Sequence, residues 1–406
     1  NKMDIQNQQI KKIEGRVCRS IRPLWEEGFC DDIRLFMDSS FENRVEKSSA
    51  LVMEEDGKAL AMLWLTTGRL RMKTGNSSQV IEADYAAGAV SGETQRHSGF
   101  MGRLLREACL QQYEQKHPFM YLLPDAAAEY ELFQLIYVFN KPKWTLQPEF
   151  ILKVLPLLKG ETRETISIRY ERKILQAAED VREEKLHTGS DMLQIRPMEE
   201  ADISHVADFA ASWLEHRCQL FAERSGDYYR MALQEMHARQ GDIFLLLNDD
   251  NVVGYFLYGP DKNEEIQEVL VLPEYEELLI EPAPERRPAV MGRIMHLPSM
   301  LSLIRSRQKI EVFMKYTDNL IEENNGYFYW KSGPEESVVK KIGSEEVKGK
   351  LYAETSADRF CAFLFGREPA EKCFTFNGGY LWEMVGLLHS LEQVQTLSDI
   401  CVNEII

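Results

Sequence analysis

One stretch, residues 85–110, constrains the fold of this 406-residue chain more than any other. It begins as a strand-like run of small residues at 85–90, passes through a polar turn, and then carries apolar residues at helical spacing: Phe100, Leu104, Leu105 and Ala108. The first backbone N–H groups of a helix lack intrahelical partners, and the helix dipole favours negative charge there. Because Arg96 and His97 lie at the helix start, the stretch predicts a cradle for an anion such as a diphosphate.

The hexapeptide Arg96-His97-Ser98-Gly99-Phe100-Met101 resembles the acyl-CoA signature of the GNAT acetyltransferase superfamily, roughly [RQ]-x-x-G-x-[GA]. Met101 departs from the last position of that signature. The resemblance implies that acetyl-CoA, as co-substrate, binds to these six residues and to the end of the preceding strand at Ala89, Val90 and Ser91. An ordinary strand-turn-helix corner, with Gly99 as a packing residue, is the alternative.

The segment Tyr130-Glu131-Leu132-Phe133 is a second point of resemblance. In Eis-like (enhanced intracellular survival) GNAT acetyltransferases, a tyrosine that faces the thioester sulfur lies in a motif similar to Tyr-x-x-Phe-Gly-Phe/Tyr, from which the two residues after Phe133 depart. A phenol of ordinary pKa is protonated at pH 7 and can give its proton to a leaving thiolate. The resemblance therefore implies Tyr130 as general acid, with a packing role as the alternative. Less favoured candidates for the acid are Tyr121 and Tyr137.

Composition disfavours several classes of protein. No run of about 18 apolar residues exists, and the first 13 residues are polar and charged, so neither a membrane span nor a signal peptide is expected. Seven cysteines without CxxC and eight histidines without HxxxH argue against a disulfide framework and against a metal site, and favour a cytoplasmic protein. The net charge of −17 disfavours nucleic acid and favours cationic small molecules as partners, although it also fits a merely solvated acidic surface.

Residues 1–150 are predicted to form the first of three domains, a GNAT acetyltransferase domain that binds acetyl-CoA. We expect residues 13–47 to be largely helical with a break near Pro23, and a hairpin whose turn contains Asp56-Gly57. An alternating run at 68–72, a strand at 119–123 and one or two helical turns at 130–136 are also expected.

Residues 151–284 are predicted to form a second, degenerate GNAT-like domain. Its first part contains a charged helix expected over about 161–186, which links it to the first domain. Strands expected at 243–247 and 252–257 parallel the first hairpin, and a strand at 266–272 parallels the one before the cradle. Acidic residues at 274–277 stand where a diphosphate would bind, so we expect this copy not to bind CoA.

Residues 285–406 are predicted to form a third domain. A helix expected to run through Arg305, strands at 310–316 and 326–331, and an apolar helix at 356–365 closed by Gly366 resemble the sterol-carrier-protein-type domain of Eis-like proteins. A generic α+β domain is the alternative. In Eis-like enzymes the terminal carboxylate serves as general base in the first domain, so the resemblance implies that role for Ile406, against the alternative of a packing strand.

The predicted fold class is therefore α/β (α+β), with two tandem GNAT-like domains followed by a sterol-carrier-protein-like domain that supplies the C-terminus. The resemblance implies an acetyl-CoA-dependent N-acetyltransferase that transfers the acetyl group directly to an amine of a small, cationic acceptor and forms a homo-oligomer, such as a hexamer. A covalent nucleophile is not expected, because no Cys or Ser is paired in sequence with a base. A non-catalytic acyl-CoA or lipid-binding protein is the alternative.

Overall fold

Helices and strands alternate along the chain in a computed structural model that describes residues 8–28, 48–91, 99–124, 126–175, 186–260 and 265–402. The strands are β1 (Gln8–Glu14), β2 (Ser48–Glu55), β3 (Lys58–Thr74), β4 (Ser77–Ser91), β5 (Phe119–Leu122), β6 (Ile136–Pro142), β7 (Ile166–Leu175), β8 (Leu186–Pro197), β9 (Leu220–Ala222), β10 (Asp242–Asn248), β11 (Asn251–Tyr258), β12 (Ile266–Val271), β13 (Arg286–Ile294), β14 (Ile310–Thr317), β15 (Gly326–Ser332), β16 (Ser337–Ile342), β17 (Tyr352–Ser356), β18 (Thr375–Asn377) and β19 (Ile400–Cys401).

The helices within the same ranges are short. They are α1 (Arg22–Gly28), α2 (Phe100–Glu114), α3 (Ala127–Glu131), α4 (Pro148–Leu158), α5 (Ile203–Arg217), α6 (Gly226–Ala238), α7 (Pro273–Leu279), α8 (Leu297–Leu303), α9 (Ala357–Leu364), α10 (Ala370–Cys373) and α11 (Leu381–Glu392). None of these described helices combines the length and the apolar character needed to cross a bilayer.

The first sheet contains nine strands and runs β1-β2-β3-β4-β5-β13-β6, with β9 beside β3 and β19 beside β9. The predicted hairpin is confirmed, because β2 and β3 pair antiparallel across Asp56 and Gly57, whose φ angles are 50° and 78°. Asp-Gly tolerates these left-handed conformations, which match the twist of the flanking strands. The run predicted at 68–72 is the second half of β3, and the predicted helix at 100–115 is α2.

The helical prediction for residues 13–47 is confirmed over 15–28 in its described part and is wrong at its start. β1 extends to Glu14, and residues Gly15–Ile21 form a 3-10 helix before α1 begins at Arg22. Gly15 has a φ of 56°, a left-handed conformation that a strand cannot continue, so β1 ends before it. Pro23 lies in the first turn of α1, where its missing N–H removes no helical hydrogen bond. Residues 29–47 lie outside the described residues.

The charged helix predicted over 161–186 is also wrong. The described residues of this segment form β7 and the start of β8, which pair antiparallel from Ile166–Ile195 to Leu175–Leu186. Ile166, Ile168 and Tyr170 recur at every second position, the strand period, and the polar residues Ser167 and Arg169 occupy the alternate positions. Mixed charges masked this alternation and suggested a solvated helix. Residues 176–185 lie outside the described residues.

The second sheet runs β12-β11-β10-β8-β7. Its predicted hairpin is confirmed, because β10 and β11 pair antiparallel across Asp249 and Asp250, both at positive φ. The acidic segment after β12 is a short helix, α7, with Pro273 at its first turn and Tyr275 buried. Proline is pre-organised for a helix start, which explains why this acidic segment is helical.

The third sheet runs β16-β15-β14-β17-β18. Its predicted strands at 310–316 and 326–331 are confirmed, and α9 is followed by Gly366 at a φ of 63°, as a C-terminal glycine cap requires. The helix expected to run through Arg305 is shorter, because α8 spans only Leu297–Leu303.

Strand β13 follows the predicted boundary between residues 284 and 285, yet it lies inside the first sheet. It pairs antiparallel with β5 on one side and β6 on the other, with Met291 opposite both Leu122 and Tyr137. One buried apolar cluster then continues from this sheet into the third, and includes Tyr121, Ile294 and Trp330. The three-domain division stays a prediction, but the first and third parts share a core.

Candidate functional site

Strands β4 and β5 run parallel for only three residues. Asp84–Ala86 pair with Met120–Leu122, after which β5 ends and β4 continues to Ser91. The other edge of β4 pairs with β3 as far as Ser91. Residues 87–91, called the open edge of β4 below, therefore lack a neighbouring strand on one side within the described chain. Their backbone groups can pair with an extended ligand.

A β-bulge stands at the start of this open edge. Trp64 pairs with Gly88, whereas Leu65 pairs with Ala86, so Ala87 is an extra residue in β4. A bulge bends its strand and increases the local twist. The bulge therefore helps β4 to diverge from β5 where the open edge begins.

Helix α2 begins beside this divergence without a side-chain cap. Gly99 is the N-cap residue, with a φ of 77°, and its carbonyl accepts the first helical hydrogen bond from the Arg103 N–H at 3.2 Å. A Cβ at Gly99 would meet no atom within 4 Å, so the left-handed backbone, not crowding, calls for glycine here. The N–H groups of residues 100–102 have no acceptor inside the helix and are suited to an anion.

The open edge, the start of α2 and helix α3 meet on one face of the first sheet. Ala89, Met101 and Tyr130 all pack, partly buried, against an apolar cluster that includes Phe100. Val90 points to the opposite face, into a cluster with Trp64. Ser91 ends β4. The predicted site residues that lie outside the described residues are Arg96, His97, Ser98 and Ile406.

Tyr130 lies near the end of the short helix α3, which ends at Glu131 in a tight turn, so the one or two helical turns expected at 130–136 are not formed there. The N–H groups of Phe133 and Leu135 both donate to the Tyr130 carbonyl, at 2.9 and 3.3 Å, and Gln134 has a φ of 58°. A Cβ at Gly102 would lie 3.0 Å from the Phe133 ring. Gly102 therefore lets α2 approach this turn closely. This role was not predicted from the sequence, although a glycine three residues after Gly99 signals it.

The other two tyrosine candidates differ in position. Tyr121 is buried on the opposite face of the sheet, with its ring centroid 5.3 Å from that of Tyr85. Tyr137 is partly buried and packs against the same cluster as Tyr130. Tyr137 is therefore the alternative acid that shares the face of the site.

A buried ion pair from the third part of the chain supports the turn after Tyr130. The Arg293 side chain is fully buried, its guanidinium donates to the Phe133 carbonyl at 2.9 Å, and it forms an ion pair with Asp318. The Asp318 carboxylate also accepts the N–H groups of Leu320 and Ile321, each at 2.8 Å. The contact between Arg293 and Phe133 joins residues 160 positions apart, and no local sequence signal predicted it.

The thiols nearest this ion pair are poor nucleophiles. Burial raises the pKa of Cys109, in α2, and of Cys361, in α9, to about 12 each. Both thiols are therefore protonated at neutral pH, and the thiolate is the reactive form. Within the described residues, His, Cys, Asp and Glu form no group of three or more that could hold a metal ion.

The last described strand runs toward the site. β19 pairs parallel with β9, which pairs antiparallel with β3, so β19 points from the Met72 end of β3 toward its start. The Gln219 side-chain oxygen holds the segment before β19 by accepting the N–H groups of Ser398 and Asp399, at 2.9 and 3.0 Å. Val402 is buried. The chain therefore enters the first sheet on a defined course.

The second sheet has no equivalent of this site among the described residues around it. Its strand β12 is an edge strand, and α7 carries Glu274 and Glu276 in its first turn. Carboxylates at a helix start satisfy the helix dipole and repel a diphosphate.

Residues 9–134, which contain the open edge, the start of α2 and Tyr130, match the family model described as an acetyltransferase (GNAT) domain. The first part of the chain is a GNAT acetyltransferase domain. The match supports an acyl- or acetyltransferase activity for this domain. No curated protein sequence matches the chain.

Three solved structures resemble the whole chain. They are a probable N-acyltransferase of unknown function from Enterococcus faecalis V583 (TM-score 0.70, 14% identity, 99% of this chain and 100% of that chain), a GCN5-related N-acetyltransferase from Anabaena variabilis (0.64, 12%, 98% and 100%) and Eis1 from Mycobacterium abscessus (0.63, 9%, 97% and 98%). At these identities the likeness shows the fold. The predicted α/β class, with tandem GNAT-like units before an α+β unit, is confirmed, whereas the sterol-carrier-type resemblance stays a prediction.

Proposed function

We propose that this protein is an acetyl-CoA-dependent N-acetyltransferase that acetylates an amine of a small, cationic acceptor by direct transfer. The observation that carries the proposal is the meeting of three features in the GNAT domain. The open edge of β4, the uncapped start of α2 and Tyr130 share one face. A protein site for acetyl transfer from acetyl-CoA needs an anion site, a backbone edge and a proton donor in this arrangement.

The residues around Gly99 fit acetyl-CoA. Acetyl-CoA supplies the acetyl group as an activated thioester. The N–H groups of residues 100–102 would hold its diphosphate, together with the side chains of Arg96, His97 and Ser98, which lie outside the described residues. The backbone of Ala89–Ser91 would hold its extended arm and donate an N–H to the thioester carbonyl oxygen, where charge develops. Phe100 and Met101 would pack beside it.

Two proton transfers complete the proposed mechanism. The acceptor amine has a pKa near 10 and must lose a proton before it attacks. The terminal carboxylate at Ile406 would take that proton, and burial would favour both a stronger base and a neutral amine. Tyr130 would protonate the departing thiolate. The high pKa of the buried Cys109 thiol agrees with transfer that uses no cysteine nucleophile.

A thiol-release assay tests the proposed function. The full-length protein is mixed with acetyl-CoA and each amine of a panel of polyamines and aminoglycosides, and free CoA thiol and amine mass are measured. We expect thiol release in step with acetylation of at least one amine. Binding of acetyl-CoA without thiol release across the panel would favour an acyl-CoA sensor and overturn the enzyme.

Arg96→Glu is expected to weaken acetyl-CoA binding about tenfold or more, because it places an anion beside the diphosphate. Calorimetric titration should also give one acetyl-CoA per chain, since the acidic start of α7 has no diphosphate site. Glu274→Gln is the matched control and should leave the affinity unchanged. Two acetyl-CoA molecules per chain would contradict the assignment to the first domain.

The direction of β19 supports the proposed role of the C-terminus. Cys401 is opposite Phe221, which is opposite Arg71, so the last described strand runs along β3 toward the start of that strand. A Gly-Ser tail after Ile406 should lower the rate and keep acetyl-CoA affinity, because it turns the carboxylate into an amide. Ile406→Val is the control and should be mild. A tailed protein with a normal melting temperature and full activity would remove this base.

We also propose that the protein forms a homo-oligomer, such as a hexamer. The start of α11 exposes three large side chains: Tyr380, Leu381 and Trp382, which are 72%, 78% and 72% exposed. Exposed apolar patches are typical of protein interfaces. Sedimentation of the full-length protein should give a particle heavier than one 47.1 kDa chain.

A further inference from the structure

A cavity of about 340 Å³ lies away from the site formed by the open edge of β4, the start of α2 and Tyr130. Its walls come from β6 and the residues after it, from the end of α5 with β12, and from the C-terminal segment 398–401. It contains none of the residues of the open edge, the start of α2 or Tyr130. The volume falls in the range of small-molecule sites. We call it the arginine cavity after three of its lining residues: Arg217, Arg286 and Arg367.

Two of these guanidinium groups lack an anionic partner among the described residues. The Nε–H group of Arg367 is buried and donates no hydrogen bond to a described residue, and burial lowers the pKa of this side chain. Arg286 forms no ion pair with a described residue and projects to the cavity from the start of β13. Both remain cationic at neutral pH. Unpaired cations in one cavity of a chain with a net charge of −17 indicate an anion site.

The third arginine is held against an aromatic ring. The Arg217 guanidinium lies 4.8 Å from the centroid of the Trp213 ring and 3.3 Å from the Glu276 carboxylate. The Trp213 indole N–H donates to the Val271 carbonyl at 2.8 Å, so the ring has a fixed orientation. Trp144 lines the same cavity. Two indole rings offer flat apolar walls beside the cations.

The carboxylates of the cavity do not cancel its positive charge. Glu268 is buried and already receives hydrogen bonds from Arg224 at 2.7 Å and from Tyr255 at 2.9 Å. Asp399, the other carboxylate of the lining, is exposed, and water screens its charge. Because Arg217 is already paired with Glu276, the remaining cations, Arg286 and Arg367, face one screened carboxylate and one neutralised carboxylate. A cationic amine acceptor would be repelled, so this cavity is distinct from the proposed acceptor site.

We propose that the arginine cavity binds a small organic anion, a carboxylate or phosphate monoester carried on a flat aromatic body. Guanidinium groups recognise planar carboxylates and phosphates by paired hydrogen bonds, and indole rings stack on the body. Because residues 398–401 form one wall, a bound anion also braces the segment that leads into β19. The site is independent of acetyl transfer and does not rest on the proposed enzyme activity.

The test uses the full-length protein without acetyl-CoA or amine. Benzoate and phenyl phosphate are titrated by calorimetry, with inorganic phosphate and benzylamine as comparison probes. We expect one saturable site per chain for benzoate or phenyl phosphate. The probe that binds more tightly shows whether the site prefers a carboxylate or a phosphate. Benzylamine should not bind, and inorganic phosphate should bind more weakly than phenyl phosphate. No saturation by either aromatic anion up to about 10 mM, a very weak affinity, would overturn the proposal.

Variants locate the site. Arg286→Gln and Arg367→Gln should each lower the affinity for the more tightly bound aromatic anion by about tenfold or more, the loss expected for a charged hydrogen bond. Arg359→Gln is the matched control, because Arg359 is exposed on α9 and lies outside the cavity. Arg286 is also exposed, so its variant remains informative even if Arg367→Gln fails to fold. Equal affinity in Arg286→Gln and wild type, or displacement of the probe by acetyl-CoA, would contradict a separate anion site.

Discussion

Replacing Tyr130 by Phe should lower turnover about 10²- to 10⁴-fold while acetyl-CoA affinity stays unchanged. Tyr130 is partly buried against the apolar cluster of the GNAT domain, and Phe keeps that packing. Only the phenolic proton is lost, so the departing thiolate must take a proton from water. Steady-state thiol release and calorimetric binding, measured on the same preparation, separate the two effects.

Tyr137→Phe is the matched control for this substitution. Tyr137 shares the face and the partial burial of Tyr130, but it lies on β6 and outside the motif. We expect its turnover to stay within a few-fold of wild type. Full turnover in Tyr130→Phe, together with a large loss in Tyr137→Phe, would transfer the role of acid to Tyr137.

Asp318→Asn should destabilise the fold by about 3–5 kcal/mol, because it leaves the buried Arg293 guanidinium without its counter-charge. Both side chains are fully buried, so water cannot replace the lost carboxylate. The Arg293 guanidinium also holds the Phe133 carbonyl, so the turn after Tyr130 should loosen before the chain unfolds. Urea unfolding gives the stability, and thiol release below the melting temperature gives the effect on the site.

An exposed ion pair serves as the comparison. Asp227→Asn removes a carboxylate that Arg230 contacts at 2.8 Å on the surface of α6, and it should leave the melting temperature nearly unchanged. A loss in Asp318→Asn as small as that in Asp227→Asn would show that the buried pair does not support the turn.

Local signals were enough to predict several elements. Asp56-Gly57 predicted the first hairpin, the apolar spacing after Gly99 predicted α2, and Gly366 predicted the end of α9. Each of these features depends on the conformation of a few adjacent residues. β7 was missed although its alternation is local, because the mixed charges of the surrounding segment suggested a helix.

Contacts between distant residues account for the rest. Nothing near Met291 in sequence indicates that β13 inserts between β5 and β6, because strand pairing depends on partners about 150 residues away. The pairing of Arg293 with Asp318 and the meeting of three arginines in one cavity arise in the same way. The sequence therefore predicted the helix that begins after Gly99 but not the groups that support the turn after Tyr130.

Hydrogen–deuterium exchange with and without acetyl-CoA tests most directly that the GNAT domain is the part that uses this co-substrate. The N–H groups of residues 100–102 have no acceptor within α2 and should exchange fast in the free protein. We expect acetyl-CoA to slow exchange there and along the open edge at 87–91, and to leave α7 unchanged. Slowed exchange at α7, with no change at the start of α2, would contradict the account.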